Sequence, residues 1–528
     1  ANALSRPLQE RIIFTHERLF LPMGAPVMPL DQSARLFEIR RLIDKGLYRQ
    51  ACKLQFNLSG QNGFMYPDYF VPAFDLTIRS QAEGEVRDYA RSVNFQTGEA
   101  TVHWADDRGV FERRMFVSRA AGVAVLLLTA PKSALDCRLA LEPREPSDEF
   151  NADSDVNKRS DQVFKEHVSD IKSTAGDSWL TYSNRFTKTY PGSIHALKSY
   201  ARVVTTGGTT EPQDDGTLVV TGADRILLLI DIRLLYDLEK SVMEEMKHSL
   251  DELPADYGRL LAGHARLHGE LFNRMRLDLG GGADHQRTTE ELLELSSYEN
   301  PNRALIEKEF DAARYNIICS TGELPPTLQG VWGGTYVPGW ASDFTHNGNV
   351  PSAIASYLMG NTPELMLAYT SYIESIVPWL EINAKHFFGA RGVVLPSRST
   401  THGFNNALNA DFAGGMWVGG AGWAAHFFYD YYLYTDDREF LADHALPFME
   451  KVVVFFEDYL YEGPDGKFVF CPTQSPENTA GNSNSQASFN ATMDVAVAKE
   501  LLRNTIAASR MLGRNEDKIP IWEEMLEK

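Results

Sequence analysis

The chain has 528 residues, a formal net charge of −20 and a hydrophobic fraction of 43%. This length exceeds what one hydrophobic core usually serves, so two or three domains are expected. The acidic balance disfavours nucleic acid and anionic membrane surfaces as partners, and the longest apolar runs are too short to span a membrane. A neutral ligand fits this charge better than an anionic one.

The sequence begins Ala-Asn-Ala-Leu and carries no signal peptide. This start fits a processed periplasmic or secreted protein, the location we expect, and it does not exclude the cytoplasm. The four cysteines are widely scattered and form no metal-binding spacing. They are best interpreted as small buried hydrophobes.

Residues 1–235 are predicted to form an N-terminal β domain, because many strand-length runs follow one another with turn residues between them. One helix, 34–54, interrupts this region early, and the polar segment 142–178 is predicted to be a long surface loop. The predicted strands are 89–95, 100–104, 110–117, 123–128, 179–183, 195–204, 217–220 and 225–232.

Residues 236–285 are predicted to be a helical linker, with helices at 238–250 and 257–275 and a glycine stop at 280–282. Residues 286–528 are predicted to form a helical toroid, because paired helices alternate with long loops. Closing a six-pair ring takes twelve helices, so we expect this toroid to be incomplete in the chain. The predicted helices are 302–320, 350–358, 363–388, 419–434, 438–461 and 492–512, with a seventh beginning near 517.

The first long loop, 324–349, contains Trp332 and Trp340 beside Asp343 and Thr345, followed by Asn347 and Asn349. Indole rings stack on sugar rings and short polar groups bind hydroxyls, so this composition is typical of a sugar site. The same residues also fit a buried turn whose amides cap the next helix. The residue types alone leave both interpretations open.

The second and third long loops, 389–415 and 462–490, carry further candidates. Arg398 and His402 in the second loop could contact ligand hydroxyls, although a lone loop histidine is more often structural. Glu477 in the third loop lies after a Ser-Pro turn. If aromatic side chains partly desolvate it, its raised pKa would suit a general acid. A glutamate stabilised by a helix dipole is an equally good interpretation.

Four motifs, in this order and spacing, resemble glycoside hydrolase family 95. They are Pro-Pro-Thr-Leu-Gln-Gly-Val-Trp at 325–332, Trp-Ala-Ser-Asp-Phe-Thr-His-Asn-Gly-Asn at 340–349, Gly-Gly-Ala-Gly-Trp at 419–423 and Ser-Pro-Glu-Asn at 475–478. Earlier segments agree, at 36–51, 66–78 and 264–280. The resemblance implies an N-terminal β super-sandwich, a helical linker, an (α/α)6 barrel and a small C-terminal β domain.

Carried over by motif, the resemblance makes Glu477 the general acid and Asn347 and Asn349 the amides that hold the attacking water. Trp423 and Asn478 belong to the same motifs and are expected to contact the sugar with the aromatic and polar residues of the first two loops. The family's base, an Asp that polarises the amides, is expected beyond Lys528. No metal, nucleotide or other cofactor is expected.

The implied reaction is an inverting hydrolysis that releases terminal α-linked L-fucose or L-galactose. Acid and base should lie ~6.5–9.5 Å apart to leave room for water. Thr345 stands where many fucosidases of the family have His, and its smaller hydroxyl side chain favours the hydroxymethyl group of L-galactose modestly. Two runs, 352–358 and 396–403, depart from the family pattern, which predicts a divergent branch.

Two other functions stay open at this stage. An inverting disaccharide phosphorylase shares the architecture but needs a basic phosphate pocket, for which no dense Lys/Arg run provides a candidate. A non-catalytic carbohydrate-binding protein would keep the aromatic loops without needing Glu477.

Overall fold

The computed structural model describes residues 1–60, 67–145, 154–238, 242–405, 409, 411–481 and 483–528. Contact clustering divides the chain into two compact units. The first comprises Ala1–Gly24, Phe70–Thr321 and Gln329–Pro338, and the second comprises Ala25–Tyr69, Gly322–Leu328 and Gly339–Lys528. Parts of several predicted segments, at 66, 146–153, 239–241, 406–408, 410 and 482, lie outside the described residues.

The strands of the described chain are mostly in its first half. They are β1 (Asn2–Ala3), β2 (Gln9–Phe14), β3 (Phe20–Leu21), β4 (Tyr69–Phe70), β5 (Phe74–Ser80), β6 (Arg87–Asn94), β7 (Glu99–Asp106), β8 (Gly109–Val117), β9 (Ala124–Thr129), β10 (Leu135–Glu142), β11 (Val168–Gly176), β12 (Trp179–Phe186), β13 (Ala196–Pro212), β14 (Leu218–Leu235), β15 (Phe344–Thr345), β16 (Arg398–Ser399), β17 (Tyr461–Glu462) and β18 (Phe468–Val469).

The α-helices occur mostly in the second half. They are α1 (Leu36–Asp44), α2 (Tyr48–Leu58), α3 (Ser154–His167), α4 (Met243–Glu252), α5 (Tyr257–Phe272), α6 (Thr289–Glu294), α7 (Arg303–Ser320), α8 (Asn349–Ile354), α9 (Ser356–Met359), α10 (Pro363–Phe388), α11 (Gly420–Thr435), α12 (Arg438–Phe440), α13 (Leu446–Tyr459), α14 (Thr492–Leu512) and α15 (Ile519–Glu527). Short 3-10 turns lie at Ser33–Arg35, Gly282–Gln286, Gly339–Ser342 and Gly414–Met416, and a π turn at Leu441–Ala445.

A twelve-stranded antiparallel sheet organises the first unit. The long strand β14 pairs with β13 along one edge and with β10 and then β9 along the other, so the sheet divides into two branches there. The predicted strands are confirmed, and the two predicted at 217–220 and 225–232 are parts of β14. The predicted surface loop 142–178 is wrong from Ser154 onward, where α3 and β11 form.

The predicted linker helices pack on the sheet of the first unit. Met246 and Leu250 of α4, with Tyr257 and Leu260 of α5, share a buried cluster with apolar side chains of β8, β9, β13 and β14. The two helices therefore belong to the core of this unit. The predicted helix 257–275 ends earlier, at Phe272, and is not stopped by the glycines at 280–282.

Residues 34–54 do not belong to the β unit, which differs from the predicted domain boundary. They form two helices that are separated at Gly46, a residue with φ of +72° that an uninterrupted helix does not allow. Ile39, Ile43 and Cys52 bury their side chains against Met416 and Cys471 of the second unit. This burial explains why α1 and α2 group with the barrel helices.

The predicted barrel helices are confirmed in position and order, with two internal breaks, and the short helix α6 precedes them. The segment 350–358 is divided into α8 and α9, and the segment 438–461 is divided by the π turn between α12 and α13. Helix α10 contains Pro378 yet continues to Gly389, where a left-handed cap ends it. Among the described helices, none combines the length and apolarity needed to cross a lipid bilayer.

We predict that Gly392→Ala destabilises the helical unit far more than Gly466→Ala does. Both glycines have positive φ, but a Cβ on Gly392 would lie 2.2 Å from the Lys451 carbonyl oxygen, whereas nothing described lies within 4 Å of a Cβ on Gly466. The shared backbone strain costs ~1–2 kcal/mol, and overpacking adds ~1–3 kcal/mol at Gly392. Thermal unfolding of both variants measures the difference. Equal midpoints would contradict this packing.

Candidate active site

Two loops of the second unit are joined directly by a short antiparallel ladder. In it β15 pairs with β16, so that Phe344 lies opposite Ser399 and Thr345 opposite Arg398. The loop before α8 and the loop after α10 are therefore held in one register. Three further sets of buried hydrogen bonds fix the side chains on this ladder.

Asp343 is fully buried, and both of its carboxylate oxygens have partners. Arg398 donates from Nε to Oδ2, and the Thr345 hydroxyl donates to Oδ1 across 2.5 Å. Burial raises the pKa of Asp343 to about 6, while the charge of Arg398 and the two hydrogen bonds oppose this rise. Removing one partner of such a buried pair typically costs ~3–5 kcal/mol, because the other charge is left uncompensated.

Arg398 also holds the backbone that carries Trp340. Its Nη2 donates to the Trp340 carbonyl oxygen at 2.6 Å. Trp340, Ala341 and Ser342 have φ of 51°, 60° and 48°, a left-handed turn of three successive non-glycine residues. Such a turn is strained and persists only where its surroundings fix it. Trp340 is nevertheless 68% exposed, so this restrained turn presents an aromatic residue to solvent.

His346 begins a buried chain of hydrogen bonds whose direction can be worked out. Tyr372 must donate to the Thr400 carbonyl at 2.8 Å, because a carbonyl only accepts. Ser399 must then donate to Tyr372 at 2.6 Å, and its oxygen accepts from His346 Nε2 at 2.6 Å. Burial lowers the pKa of His346 to about 3, so the ring is neutral and carries its proton on Nε2.

The structure brings together Asn347 and Glu477, two of the three residues that were assigned catalytic roles. Asn347 Nδ2 donates to Glu477 Oε1 at 3.3 Å. This leaves the amide oxygen of Asn347 as an acceptor that can hold a water molecule. Glu477 is exposed, contrary to the expectation that aromatic side chains desolvate it. Its carboxyl is therefore open to a ligand but not shielded from water.

The loop that carries Glu477 is fixed by hydrogen bonds on both sides of it. Asn478 donates from its backbone to the Ser475 carbonyl at 2.7 Å and from its side chain to Ser475 Oγ at 3.2 Å. Gln486 donates to the Glu477 carbonyl at 3.4 Å and accepts from the buried Gln474 at 2.7 Å. Asn478, predicted to bind substrate, thus also shapes the turn.

The remaining predicted site residues occupy different surroundings. Asn349 is exposed and begins α8, while Trp332 belongs to the first unit. His402 is buried, accepts from the Phe404 backbone, and has its pKa lowered to about 4 by burial. Trp423 of α11 lines a cavity of about 390 Å³ together with Ser352 of α8. The catalytic role of Asn349 and the substrate-binding roles of the other three stay predictions.

Two functional candidates escaped the sequence analysis. His346 lies inside the recognised motif, but its neighbours at 399 and 372 are distant in sequence, so its hydrogen-bond chain could not be foreseen. Asp494 lies at the start of α14 and is fully buried. The described residues contain no group of three or more His, Cys, Asp or Glu side chains placed to hold a metal ion.

Family models match nearly the whole chain. The glycosyl hydrolase family 95 catalytic domain matches residues 256–528, and the N-terminal domain of glycosyl hydrolase family 65 matches residues 2–238. The first match covers more than half of the chain. The predicted fold, a β super-sandwich followed by a partly complete (α/α)6 barrel, is confirmed by these matches and by the two units described above.

Individual relatives are more distant. The chain is 25% identical to alpha-L-fucosidase 2 of Arabidopsis thaliana over 94% of its own length and 60% of that protein. It is 24% identical to a probable alpha-fucosidase A of Aspergillus niger, over 78% of its own length and 52% of that protein. The chain thus spans roughly half to three-fifths of the length of these curated relatives.

A solved structure described as a kojibiose phosphorylase from the human microbiome resembles the whole chain. The TM-score is 0.60 at 8% sequence identity, and the match covers 100% of this chain and 70% of that one. At this identity the likeness shows a shared fold alone.

The carboxyl of Asp494 lies against the turn that begins α11. The backbone N–H groups of Val418 and Gly419 face it and lower its pKa slightly, but neither oxygen has a well-aligned hydrogen bond within the described chain. Burial is the larger effect and raises the pKa of Asp494 well above its ordinary value. The ionised form is therefore disfavoured in the folded state.

We predict that Asp494→Asn stabilises the protein at pH 7 and has little effect at pH 4. Because the folded pKa is raised, the stability that Asp494 contributes is present at low pH and is lost as pH rises towards the folded pKa. A tenfold change in proton affinity corresponds to ~1.4 kcal/mol, or a midpoint increase of roughly 1–3 °C. Thermal unfolding between pH 4 and 8 measures this, with the exposed Asp517→Asn as control. A less stable Asn variant at pH 7 would contradict it.

Proposed function

The chain belongs to glycosyl hydrolase family 95, and from that membership we propose that it acts in the inverting hydrolysis of terminal α-linked L-fucose or L-galactose in oligo- or polysaccharides. The contact between Glu477 and Asn347 carries this proposal, because it joins a carboxyl to an amide at the convergence of two loops. The two curated relatives are both named as fucosidases. A periplasmic or secreted location would suit such a substrate.

Glu477 acts in this proposal as the general acid that protonates the glycosidic oxygen. The Asn347 amide oxygen and Asn349 hold the water that attacks the anomeric carbon from the opposite face. In the resting site Glu477 and Asn347 touch each other, so an entering sugar must separate them.

The sugar preference leans towards L-galactose. Thr345 lies two residues before Asn347 in the same motif and is half-buried. The Thr345 side chain is smaller than the His of many related fucosidases, and its hydroxyl can form a hydrogen bond with the hydroxymethyl group of L-galactose. The methyl group of L-fucose offers no hydrogen bond there. A permissive pocket discriminates such a hydroxyl only weakly.

A disaccharide phosphorylase is the second candidate, supported by the shared fold with the phosphorylase structure. It would need a basic phosphate site near Glu477. Arg398 on strand β16 is already engaged by Asp343 and the Trp340 carbonyl. Turnover that depends on phosphate would support the phosphorylase. Turnover in phosphate-free buffer would support the hydrolase. A protein that binds sugar without turnover would support a carbohydrate-binding role instead.

We predict that Glu477→Gln lowers kcat on an aryl α-L-galactoside by about 10²–10⁴-fold, because Gln cannot donate the acid's proton. KM should change little, since Gln keeps the shape of the side chain. A dinitrophenyl leaving group, which departs without protonation, should restore much of the rate. The exposed Glu439→Gln on α12 is the matched control and should retain full activity.

Steady-state kinetics of the full-length protein on both aryl glycosides measures these effects. Equal losses of kcat for good and poor leaving groups would contradict the acid role of Glu477. A folded wild-type protein that releases neither sugar would remove the proposed function itself.

A further inference from the structure

We propose that Asp343 and Arg398 are positioning residues that hold the Thr345 hydroxyl as a hydrogen-bond acceptor and the Trp340 indole as a fixed platform, so that the site selects sugars able to donate a hydroxyl to Thr345. This inference rests on the proposed function and names residues that would determine its substrate. It concerns the direction in which the Thr345 hydroxyl points, and the residue type at position 345 does not by itself determine that direction.

The direction of the Thr345 hydroxyl follows from its partner. A carboxylate has no hydrogen to give, so Thr345 must donate to Asp343 Oδ1 at 2.5 Å. The other oxygen of Asp343 accepts from Arg398, which keeps the carboxyl oriented. Thr345 therefore turns only its lone pairs towards a ligand. A sugar group at that position must be a donor, and neither a methyl group nor a pure acceptor satisfies the oxygen.

The Trp340 platform depends on the same guanidinium. Nε of Arg398 is used by Asp343, and Nη2 by the Trp340 carbonyl. Nothing in the chemistry of a left-handed turn of Trp, Ala and Ser favours it on its own. The hydrogen bond from Arg398 is a direct restraint on its first residue. Replacing the guanidinium of Arg398 by the ammonium of a lysine should remove this restraint on the Trp340 indole while keeping the positive charge.

The contacts of Asp343, Arg398 and Thr345 are grouped at the ladder between β15 and β16. Thr345 and Arg398 are partners across that ladder, and Asp343 precedes it by one residue. The Asp343 and Arg398 side chains are 0% and 8% exposed. A buried ion pair that contacted only other buried groups would stabilise the packing and nothing else. Here its contacts lead to an exposed indole and to a half-buried hydroxyl, both on residues expected to bind sugar.

Two variants separate the two roles. Asp343→Asn presents an amide N–H to Thr345, which then accepts from Asn and turns its hydrogen outward. Arg398→Lys keeps the charge but cannot reach both partners, so it should release Trp340. The exposed pair Arg391–Asp458 makes a two-point arginine–carboxylate contact, at 2.8 Å each, between the residues just after α10 and helix α13 rather than at the ladder between β15 and β16. Arg391→Lys and Asp458→Asn are therefore matched controls.

The experiment compares kcat/KM of the full-length protein on three aryl glycosides with one leaving group: the α-L-galactoside, its 6-deoxy-6-fluoro analogue and the α-L-fucoside. Fluorine cannot donate. The wild type should treat the fluoro sugar like the fucoside and prefer the galactoside about tenfold or less, as one neutral hydrogen bond allows. Asp343→Asn should reduce the galactoside-to-fluoro ratio about 3- to 10-fold.

Arg398→Lys should raise KM for all three substrates by about fivefold, as loss of one aromatic contact would, and leave the ratios unchanged. Thr345→Val should equalise the three substrates, and Thr345→Ser should restore the preference. Thermal midpoints show which variants fold. If Asp343→Asn does not fold, the inference is tested by Thr345→Val, Thr345→Ser and Arg398→Lys.

The outcomes distinguish this inference from the proposed function. An active wild type whose substrate ratios are unchanged in Asp343→Asn and Thr345→Val overturns the inference alone. Equal effects of the Arg391 and Asp458 controls would also overturn it, because the changes would then be general. A folded wild type with no turnover of any glycoside overturns the proposed function and this inference with it.

Discussion

The arrangement of the candidate site depends on the ion pair between Arg398 and Asp343, which lies in the protein interior where two loops meet. Taking two charges out of water is costly, and only close contact with further hydrogen bonds compensates for it. Here the extra bonds come from Thr345 and the Trp340 carbonyl. The ion pair is therefore stable in one geometry, and that geometry fixes how the two loops meet.

The residues that would touch a sugar are exposed, while those that hold them are buried. Glu477 and Trp340 face solvent, whereas His346 and Asp343 are almost completely enclosed. Exposure leaves the proposed reacting groups open to a ligand, and the enclosed hydrogen bonds limit how far those groups can move. Within the motif 340–349, the buried Asp343 and His346 hold the chain in place, while Trp340 and Asn349 are exposed.

The architecture could be predicted from the sequence, because strand alternation and helical periodicity are strong over most of the chain. Helices α10 and α14 begin and end within the predicted bounds. The helix pair α1 and α2 was misplaced, since local periodicity does not reveal which distant core a helix joins. Motif resemblance predicted that Asn347 and Glu477 serve one site, but their direct hydrogen bond and the exposure of Glu477 depend on the packing of loops. The hydrogen-bond chain from His346 is likewise a tertiary feature.

The two units are interleaved along the chain, since Ala25–Tyr69 and Gly322–Leu328 belong with the barrel segment and Gln329–Pro338 with the sheet segment. A fragment starting at residue 339 would lack the helices that cover Met416 and Cys471 and would expose apolar surface. Closing contacts across several hundred residues also slows folding. Neither half of this protein is therefore an independent module that evolution or an experimenter could transplant by a single cut.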